Sequence, residues 1–477
     1  MYHPQVIARR LQQVARNLEA ADALPAGGLQ RYPVAHCHEV KAWLDKIWDP
    51  DARQATRPLT RDEEQFVANE HALTKIDYRY AAERYIWINY EGQALRPLYP
   101  LWESQTLMLE ALARQELAHW ETRHPDGLLA NILKGRQLGA STLVQSLLAH
   151  RCLTHQHVRT LIASDVPQNS GSEGLFGMLE LVVDQWPWWL KPAERFHTKN
   201  RHIMWTNGSR VIVESGKSMK GGLQEEGGEK GQLGRSKTYS AAHLSEITTW
   251  ERPEQINSSL LPAIPATART LCIRESTAMG RNNYWHQEWN LAQAGEDPRF
   301  FNIFIPWYAE QSKYWLPTPA GWIPADDTLS FARRAEQEGP KYMHRPVSVR
   351  KEQLYWYELN RRAAIKRDEL YKFLSEYPAE PEEAFQNSGR SIFSIETLTR
   401  VQQQARPLAD LLLVAPRSEL LADKEASLSE YRESQDQIRL DVATRQARAA
   451  ARVLGEGTPQ VVREETPTLT EGEEVGR

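Results

Sequence analysis

The chain has 477 residues, of which 41% are hydrophobic and 25% are charged, the balance of a globular protein with two or three domains. This composition excludes collagen-like, wholly disordered and polytopic membrane proteins. The formal charge of −4 excludes a protein that coats nucleic acid through bulk electrostatics, but it is compatible with a local basic channel. The acidic excess lies in residues 455–477, which contain six Glu and two Arg.

The first predicted elements are helices. Apolar residues at helical spacing predict a helix over 4–20, which ends before the Pro and Gly residues of 25–28, and a second helix over 39–48. Both precede the aromatic-rich chain that starts near residue 66. We therefore expect residues 1–65 to form a helical N-terminal arm.

Short apolar runs alternate with helical or loop segments in the next part of the chain. Strands are predicted at 128–133, 160–163, 211–213, 239–244 and 270–273. Strands that alternate with helices indicate an α/β fold with a mostly parallel central sheet flanked by helices. We assign residues 66–300 to this core.

The remaining chain is predicted to be mainly helical. A glycine-rich loop is expected over 216–236, a helical region over 348–377 and a charged helix over 417–453. The last residues are rich in Gly, Pro, Thr and Glu, which cannot bury a core, and we expect them to be disordered. Residues 301–393 are assigned as a lid or the end of the core domain, and residues 394–477 as a connector helix with a disordered acidic tail.

Cysteine usage and hydropathy limit the kinds of site. The three cysteines are far apart in the sequence, so we expect neither a disulfide framework nor a thiolate metal site, and a reducing cytoplasm fits. No apolar run reaches the ~18 residues that span a bilayer, so no membrane partner is expected.

The stretch after the first core strand has the features of a phosphate-binding loop. Small residues at the start of a helix let backbone N–H groups surround a phosphate. The loop is Lys134-Gly135-Arg136-Gln137-Leu138-Gly139-Ala140-Ser141-Thr142. Ala140 stands where the usual motif has lysine, so the positive charge would come from Lys134 or Arg136, and Ser141 keeps the hydroxyl that binds Mg²⁺. A plain strand-turn-helix with a capping serine is the alternative.

Two further strand ends carry polar residues. The strand at 239–244 is followed by Ser245 and Glu246, where a Walker B motif has an acidic pair, so Glu246 is the strong base that could polarise a water. The strand at 270–273 leads to Ser276 and Thr277, hydroxyls that could sense a γ-phosphate. Helix capping by Ser245 and a simple Ser/Thr turn are the structural alternatives.

In order and spacing, these motifs resemble those of the large terminase subunits of tailed bacteriophages. The resemblance covers residues 98–393. It includes Gln105, which is similar to the adenine-contact motif, the loop that starts at Lys134, the pair Ser245-Glu246, and the segments 207–209, 275–278, 376–378 and 381–385.

The resemblance implies a P-loop NTPase of the additional-strand, catalytic-glutamate class that binds ATP and Mg²⁺. It implies that Lys134 replaces the lysine missing at Ala140, and that Arg136 stabilises charge on the transferring phosphoryl group. Glu246 would be the catalytic base, with Ser276 and Thr277 forming the coupling motif. The nucleotide would be bound by Gln105, Lys134, Gly135, Arg136, Gln137, Gly139, Ala140, Ser141 and Thr142, and Mg²⁺ by Ser141 and Ser245. The serine at 245 is a departure, because the family usually has Asp there.

The same resemblance implies the partners of a DNA-packaging motor. These are double-stranded DNA, a small terminase subunit, a portal on the procapsid and further copies of the chain in a ring, all in the host cytoplasm. We recognise no nuclease domain, because Asp410, Asp423, Asp436 and Asp441 lie in helical or polar surroundings. We therefore expect no DNA cleavage by this chain alone, and a separately encoded nuclease is a further candidate partner. Two other functions stay open: a helicase-like P-loop translocase, and a degenerate P-loop protein that serves as an assembly scaffold.

Overall fold

The structure is a computed structural model that describes residues 2–20, 28–90, 94–122, 127–171, 174–198, 201–215, 238–265 and 267–386. All of them belong to one compact unit, Met1–Ser388. The predicted glycine-rich loop at 216–236, the connector and tail at 394–477 and the helix at 417–453 lie outside the described residues.

The first predicted helix is confirmed, and others differ at their ends. The α-helices are α1 Pro4–Ala20, α2 Val34–Asp45, α3 Arg61–Ile76, α4 Tyr78–Arg84, α5 Glu103–Thr122, α6 Ala140–Thr154, α7 Pro167–Ser170, α8 Leu175–Gln185, α9 Tyr284–Ala294, α10 Asp326–Met343, α11 Lys351–Lys366, α12 Leu370–Glu376 and α13 Pro381–Ala384. Helix α2 starts earlier than the predicted 39, directly after Pro33. The region predicted as helical at 348–377 is divided into α11 and α12 where Asp368 adopts a positive φ.

The central sheet is mostly parallel, as predicted. The strands are β1 Trp48–Asp49, β2 Gln54–Ala55, β3 Trp87–Tyr90, β4 Ala94–Pro97, β5 Leu128–Lys134, β6 Arg159–Ser164, β7 Glu194–Thr198, β8 His202–Trp205, β9 Arg210–Ser215, β10 Ala241–Ser245, β11 Leu271–Ser276 and β12 Phe301–Ile305. Eight of these strands form one sheet in the order β12-β5-β11-β10-β6-β9-β8-β7, in which the β7–β8 and β8–β9 pairs are antiparallel. The pairs β1–β2 and β3–β4 are separate hairpins.

Helices cover both faces of this sheet. In β5, Ala130 and Ile132 belong to one hydrophobic cluster, which includes residues of α5, α6 and α8, whereas Leu129 and Leu133 belong to a second cluster with residues of α9. Every residue of β5, β10 and β11 is buried. Strands buried on both faces are expected to be nearly continuous apolar runs, which is why the sequence identified them.

The N-terminal helices pack against this core. The backbone N–H groups of Tyr2 and His3 donate to Glu116 Oε2 of α5 at 2.6 and 2.9 Å. Residues Tyr2, Cys37 and Leu44 belong to the same hydrophobic cluster as the helices that cover the sheet. These residues of the predicted N-terminal arm therefore share a hydrophobic core with the central sheet.

The turn between β8 and β9 contacts the end of α6. Asn207 Nδ2 donates to the carbonyl oxygens of Cys152 and His155 at 2.8 and 3.0 Å. Gly208 follows with φ +80°, and a Cβ there would lie 2.3 Å from His157 Nδ1, so glycine is required at this close approach. This part of the resemblance, 207–209, thus has a structural role in joining the hairpin to the helix.

Candidate active site

The carboxyl ends of β5, β11 and β10 lie side by side at one edge of the sheet. In α/β sheets, ligands bind in the crevice at this edge. The loop between β5 and α6 and the residue after β10 both lie here, so the sheet brings together the two main motifs of the sequence.

The loop between β5 and α6 is tightly constrained. Gln137 and Gly139 have φ of 52° and 72°, and Gly139 is the N-cap of α6, which starts at Ala140. A Cβ on Gly139 would lie 2.8 Å from Gln105 Nε2, and a Cβ on Gly135 would lie 3.2 Å from the Cα atom of Trp307. The first N–H groups of a helix have no intrahelical acceptor, and with the helix dipole they favour an anion.

Lys134, the last residue of β5, lies between two carboxylates. Its side chain is 7% exposed, and Nζ is 3.4 Å from Glu246 Oε1 and 3.7 Å from Glu275 Oε2. Burial lowers the pKa of the ammonium, but Glu275 and Glu246 outweigh burial, and the pKa is raised. The lysine is therefore a buried cation at the start of the loop, one of the two positions from which the sequence analysis expected the positive charge.

Glu246 follows β10 in a left-handed backbone conformation, with φ 52° and ψ 49°. This conformation costs free energy in a residue other than glycine, and it is concentrated at functional sites. The carboxylate accepts hydrogen bonds from Lys134 Nζ and from Ser276 Oγ, both at 3.4 Å. The side chain is 36% exposed, so water can reach it.

Glu275 of β11 is a site residue that the sequence reasoning did not select. Its side chain is completely buried, and Oε1 accepts hydrogen bonds from Ser141 Oγ at 2.5 Å and from Ser245 Oγ and His243 Nε2 at 3.1 Å. Burial raises its pKa, but the Lys134 ammonium and these donors outweigh burial and hold the pKa well below its ordinary value. The signal in the sequence was an acidic residue two positions after the apolar run of the predicted strand.

His243 connects this carboxylate to α6. Gln145 Nε2 lies 2.6 Å from His243 Nδ1 and donates to it, so the Nε2 proton is the one shared with Glu275. All three side chains are fully buried. The chain of hydrogen bonds fixes the direction of the Glu275 carboxylate, and the sequence reasoning did not identify it.

The predicted coupling residues contact the segment that contains Glu246. Thr248 Oγ1 donates to Ser276 Oγ at 2.8 Å and has the Thr277 carbonyl oxygen as a second, more distant acceptor at 3.3 Å. Because Ser276 Oγ also donates to Glu246, a change at the end of β11 reaches the Glu246 carboxylate through one side chain.

Arg136 lies on the outer side of the loop. Its side chain is 61% exposed, and Nη1 is 2.9 Å from Glu376 Oε2 at the end of α12. The Arg136 N–H donates to the Glu376 carbonyl at 2.9 Å, and Tyr314 Oη donates to the Arg136 carbonyl. Ser375 Oγ, beside Glu376, donates to the Ala278 carbonyl at 2.6 Å. The end of α12 therefore contacts both the loop and the segment after β11.

Gln105 of α5 reaches the loop from the other side. Its Nε2 donates to the Gly139 carbonyl at 3.1 Å, and its Oε1 accepts from the Trp102 N–H at 3.0 Å. The side chain is 3% exposed. Both ends of the amide are bonded to the protein backbone, so in this structure Gln105 holds the loop.

The site offers oxygen donors suited to Mg²⁺. Within the part of the chain that the structure describes, no group of three or more His, Cys, Asp or Glu side chains could hold a metal ion. Mg²⁺ in nucleotide sites needs only one or two carboxylates with phosphate oxygens and waters. Ser141, Ser245 and Glu275 supply hydroxyl and carboxylate oxygens within one hydrogen-bonded group, whereas Thr142 makes no side-chain contact that bears on it.

No protein-family model matches the sequence, and no curated protein matches it. Among solved structures, the chain is similar to phage large terminases. The large terminase from a thermophilic bacteriophage is 11% identical with a TM-score of 0.31, and 53% of each chain is covered. The HK97 bacteriophage large terminase is 12% identical with a TM-score of 0.30, covering 66% of this chain and 54% of that one. The large terminase ATPase domain of Thermus phage P74-26 is 15% identical with a TM-score of 0.32, covering 56% of this chain and 92% of that one.

The chain thus spans about half the length of the first two of these large terminases. All three structures belong to the family that the sequence motifs resemble. At these identities and TM-scores the likeness carries no information on activity.

Proposed function

We propose that this chain hydrolyses ATP to ADP and phosphate with Mg²⁺. One observation carries the proposal: a buried lysine, a partly exposed glutamate and the start of a helix meet at the carboxyl ends of β5 and β10, the two strands on either side of β11. These are the groups that phosphoryl transfer requires, a cationic cradle for phosphate and a base that orients water.

The order of the strands supports the additional-strand, catalytic-glutamate class of P-loop NTPases. Strand β11 lies between β5, which leads into the loop, and β10, which leads to Glu246. The inserted strand lies between the phosphate loop and the proposed catalytic glutamate.

Lys134 and the loop would bind the phosphates. The Lys134 ammonium, now paired with Glu246 and Glu275, would face the β- and γ-phosphates, and the N–H groups of Gln137, Gly139, Ala140, Ser141 and Thr142 would donate to them. The Gly135 N–H instead donates to the Ile305 carbonyl at 3.1 Å, so Gly135 would contribute through its lack of a side chain. Arg136 can stabilise charge on the transferring phosphoryl group once it leaves Glu376, because its guanidinium is exposed and on a long side chain. Gln105 would hold the phosphate loop beside the adenine base of the nucleotide.

Glu246 would act on the attacking water. Mg²⁺, held by Ser141 with a second oxygen ligand from Ser245 or Glu275, would neutralise charge on the phosphates. Glu246 has one oxygen directed to Lys134 and the other to Ser276. Occupation of the γ-phosphate site would take Lys134 from Glu246 and leave that carboxylate to accept a proton from water.

The contacts of Ser276 and Thr277 support a coupling role. They join the end of β11 to Thr248 and Glu246, and the segment after them joins α12 through Ser375. Loss of the γ-phosphate would therefore be transmitted to the end of α12, which lies in the predicted lid, 301–393.

The motifs of the sequence favour one biological setting for this activity. We infer a terminase motor that moves double-stranded DNA into a procapsid, working as a ring on a portal with a small terminase subunit in the host cytoplasm, and with a separately encoded nuclease. Within the described residues no helix is both long and apolar enough to cross a membrane.

Phosphate release by the purified full chain tests this function. We expect release from ATP that requires Mg²⁺ and that duplex DNA stimulates. A chain that binds procapsids or DNA but releases no phosphate would instead be the assembly scaffold. Release that single-stranded DNA stimulates more than duplex DNA would favour a helicase-like translocase.

A further inference from the structure

The acid that is missing after β10 has a counterpart on the neighbouring strand. Ser245, where related motors are expected to have Asp, pairs in register with Glu275 of β11. The Ser245 hydroxyl lies 3.1 Å from Glu275 Oε1. A carboxylate is therefore present at the same level of the sheet, one strand closer to the phosphate loop.

We propose that Glu275 supplies the carboxylate that anchors Mg²⁺ in place of the residue at Ser245. This inference rests on the ATPase function proposed above and assigns a role that the sequence motifs gave to another position. Glu275 would hold the ion together with Ser141, the loop serine whose hydroxyl oxygen would be a second ligand.

The contact between Glu275 and Ser141 has the geometry that this role needs. Ser141 Oγ donates its proton to Glu275 Oε1 at 2.5 Å, a short, charge-assisted hydrogen bond. Because the hydroxyl proton of Ser141 points to Glu275, the lone pairs of Ser141 Oγ are available to a cation.

The second oxygen of Glu275 is the independent observation. Oε2 is fully buried and has no hydrogen-bond partner among the described residues, and the Lys134 ammonium is 3.7 Å away. A buried carboxylate oxygen without a hydrogen bond is costly. A divalent cation with its waters would satisfy it, and it would also offset the charge when Lys134 turns to phosphate.

Other buried glutamates of this chain show what a structural role looks like. Glu70 accepts from Tyr80 Oη on one oxygen and from Tyr85 Oη on the other, at 2.6 and 2.7 Å. Glu288 accepts from Asn257 on one oxygen, and on the other from Arg274, both at 2.7 Å. In both residues the two oxygens are hydrogen-bonded, whereas in Glu275 one is not.

The test measures how strongly Mg²⁺ improves nucleotide binding. The non-hydrolysable analogue β,γ-imido-ATP is titrated into the full chain in Mg²⁺ and in EDTA, for wild type, Glu275→Gln and Glu288→Gln. We expect Glu275→Gln to keep or improve binding in EDTA, since a negative charge near the phosphates is removed, and to weaken the apparent Mg²⁺ affinity by about 10- to 100-fold. Glu288→Gln, the loss of a buried carboxylate paired with Arg274, should lower the melting temperature but keep the improvement by Mg²⁺.

A second variant shows whether Glu275→Gln weakens Mg²⁺ binding because a carboxylate is lost or because the protein is destabilised. Adding Ser245→Asp to Glu275→Gln returns a carboxylate to the neighbouring strand and should restore at least part of the improvement by Mg²⁺. The assignment is overturned if Mg²⁺ improves nucleotide binding by Glu275→Gln as much as by wild type. It is also overturned if the double variant folds but Mg²⁺ does not improve its nucleotide binding at all. A wild-type chain that binds no β,γ-imido-ATP in either buffer overturns the ATPase proposal and this assignment with it.

Discussion

Glu246 is the residue on which the rate of hydrolysis should depend most. Glu246→Gln keeps the shape and the hydrogen-bonding oxygen of the side chain but removes the base, so we expect nucleotide affinity to be retained and kcat to fall by ~10²-fold or more. Nucleotide titration and steady-state phosphate release measure the two effects. Glu254→Gln, the same change at an exposed position, should leave both unchanged. Lost affinity in Glu246→Gln would make this residue a structural or metal-binding group.

Lys134 and Glu275 should be coupled in stability. Lys134→Ala removes the main cation facing a buried carboxylate and leaves His243 and the serines as its partners, so we expect about 3 kcal/mol or more of lost stability near neutral pH. The depressed pKa of Glu275 contributes stability that is present above its unfolded pKa of about 4.3, and that is lost as pH falls through the lower folded value. Without Lys134, burial would raise that pKa.

The difference in melting temperature between wild type and Lys134→Ala should therefore be greatest near neutral pH and shrink below about pH 4. Thermal unfolding across this range measures it. Lys191→Ala breaks a partly exposed pair with Glu194 and should cost less than about 1 kcal/mol. A difference for Lys134→Ala that does not change with pH would show that the lysine and Glu275 are not coupled.

Sequence reasoning predicted the ends of the strands better than the contacts between them. It selected Lys134, Ser141 and Glu246 from motifs at the ends of predicted strands, but it missed Glu275 as a site residue. An acid inside a strand has no periodic signature, and its partner, Ser245, is set by the register of β10 against β11. Register depends on tertiary packing, which a single sequence does not display.

The end of α12 should restrain the phosphate loop. Glu376 pairs with Arg136 through both side chain and backbone, and Arg136 must leave this pair to reach a phosphate. Glu376→Gln should therefore raise the rate of phosphate release a few-fold, with a change in stability of less than about 1 kcal/mol because the pair is exposed. Glu369→Gln, near the start of the same helix, is the control.

The opposite result would assign Glu376 another role. If Glu376→Gln slows release as much as Arg136→Ala does, the pair holds the arginine in its working position. A double variant that behaves like either single variant would then show that the two residues act together.

At the element level, strands β5, β6, β9, β10 and β11 of the central sheet were predicted, whereas the parallel strand β12 and the antiparallel strands β7 and β8 were not. Strands β5, β6, β10 and β11 are buried, so their apolar runs stand out in the sequence. Strand β7 is mostly exposed and β1 to β4 are short, so neither hydrophobic runs nor alternation marked them. The helices α11 and α12 were predicted as one because the break at Asp368 depends on a backbone conformation that the helical pattern does not reveal.

At the scale of the whole molecule, we expect the chain to lack nuclease activity of its own. Two-metal cleavage needs carboxylates held on rigid elements, and the sequence after residue 393 offers only acids in charged or polar surroundings. Supercoiled plasmid incubated with the protein and Mg²⁺ or Mn²⁺ should remain supercoiled. Nicked or linear product that disappears when Asp410 and Asp436 are changed to Ala would contradict this expectation.

The central claim is that a nucleoside triphosphate binds at the carboxyl edge of the sheet through Lys134, since Ala140 cannot supply the charge. Equilibrium binding of ATP to Lys134→Ala and to wild type, in Mg²⁺, tests it most directly. We predict that wild type binds ATP and that Lys134→Ala binds it at least about 10-fold more weakly, the effect of losing one charged contact. Equal affinity of the two proteins for ATP would contradict the claim.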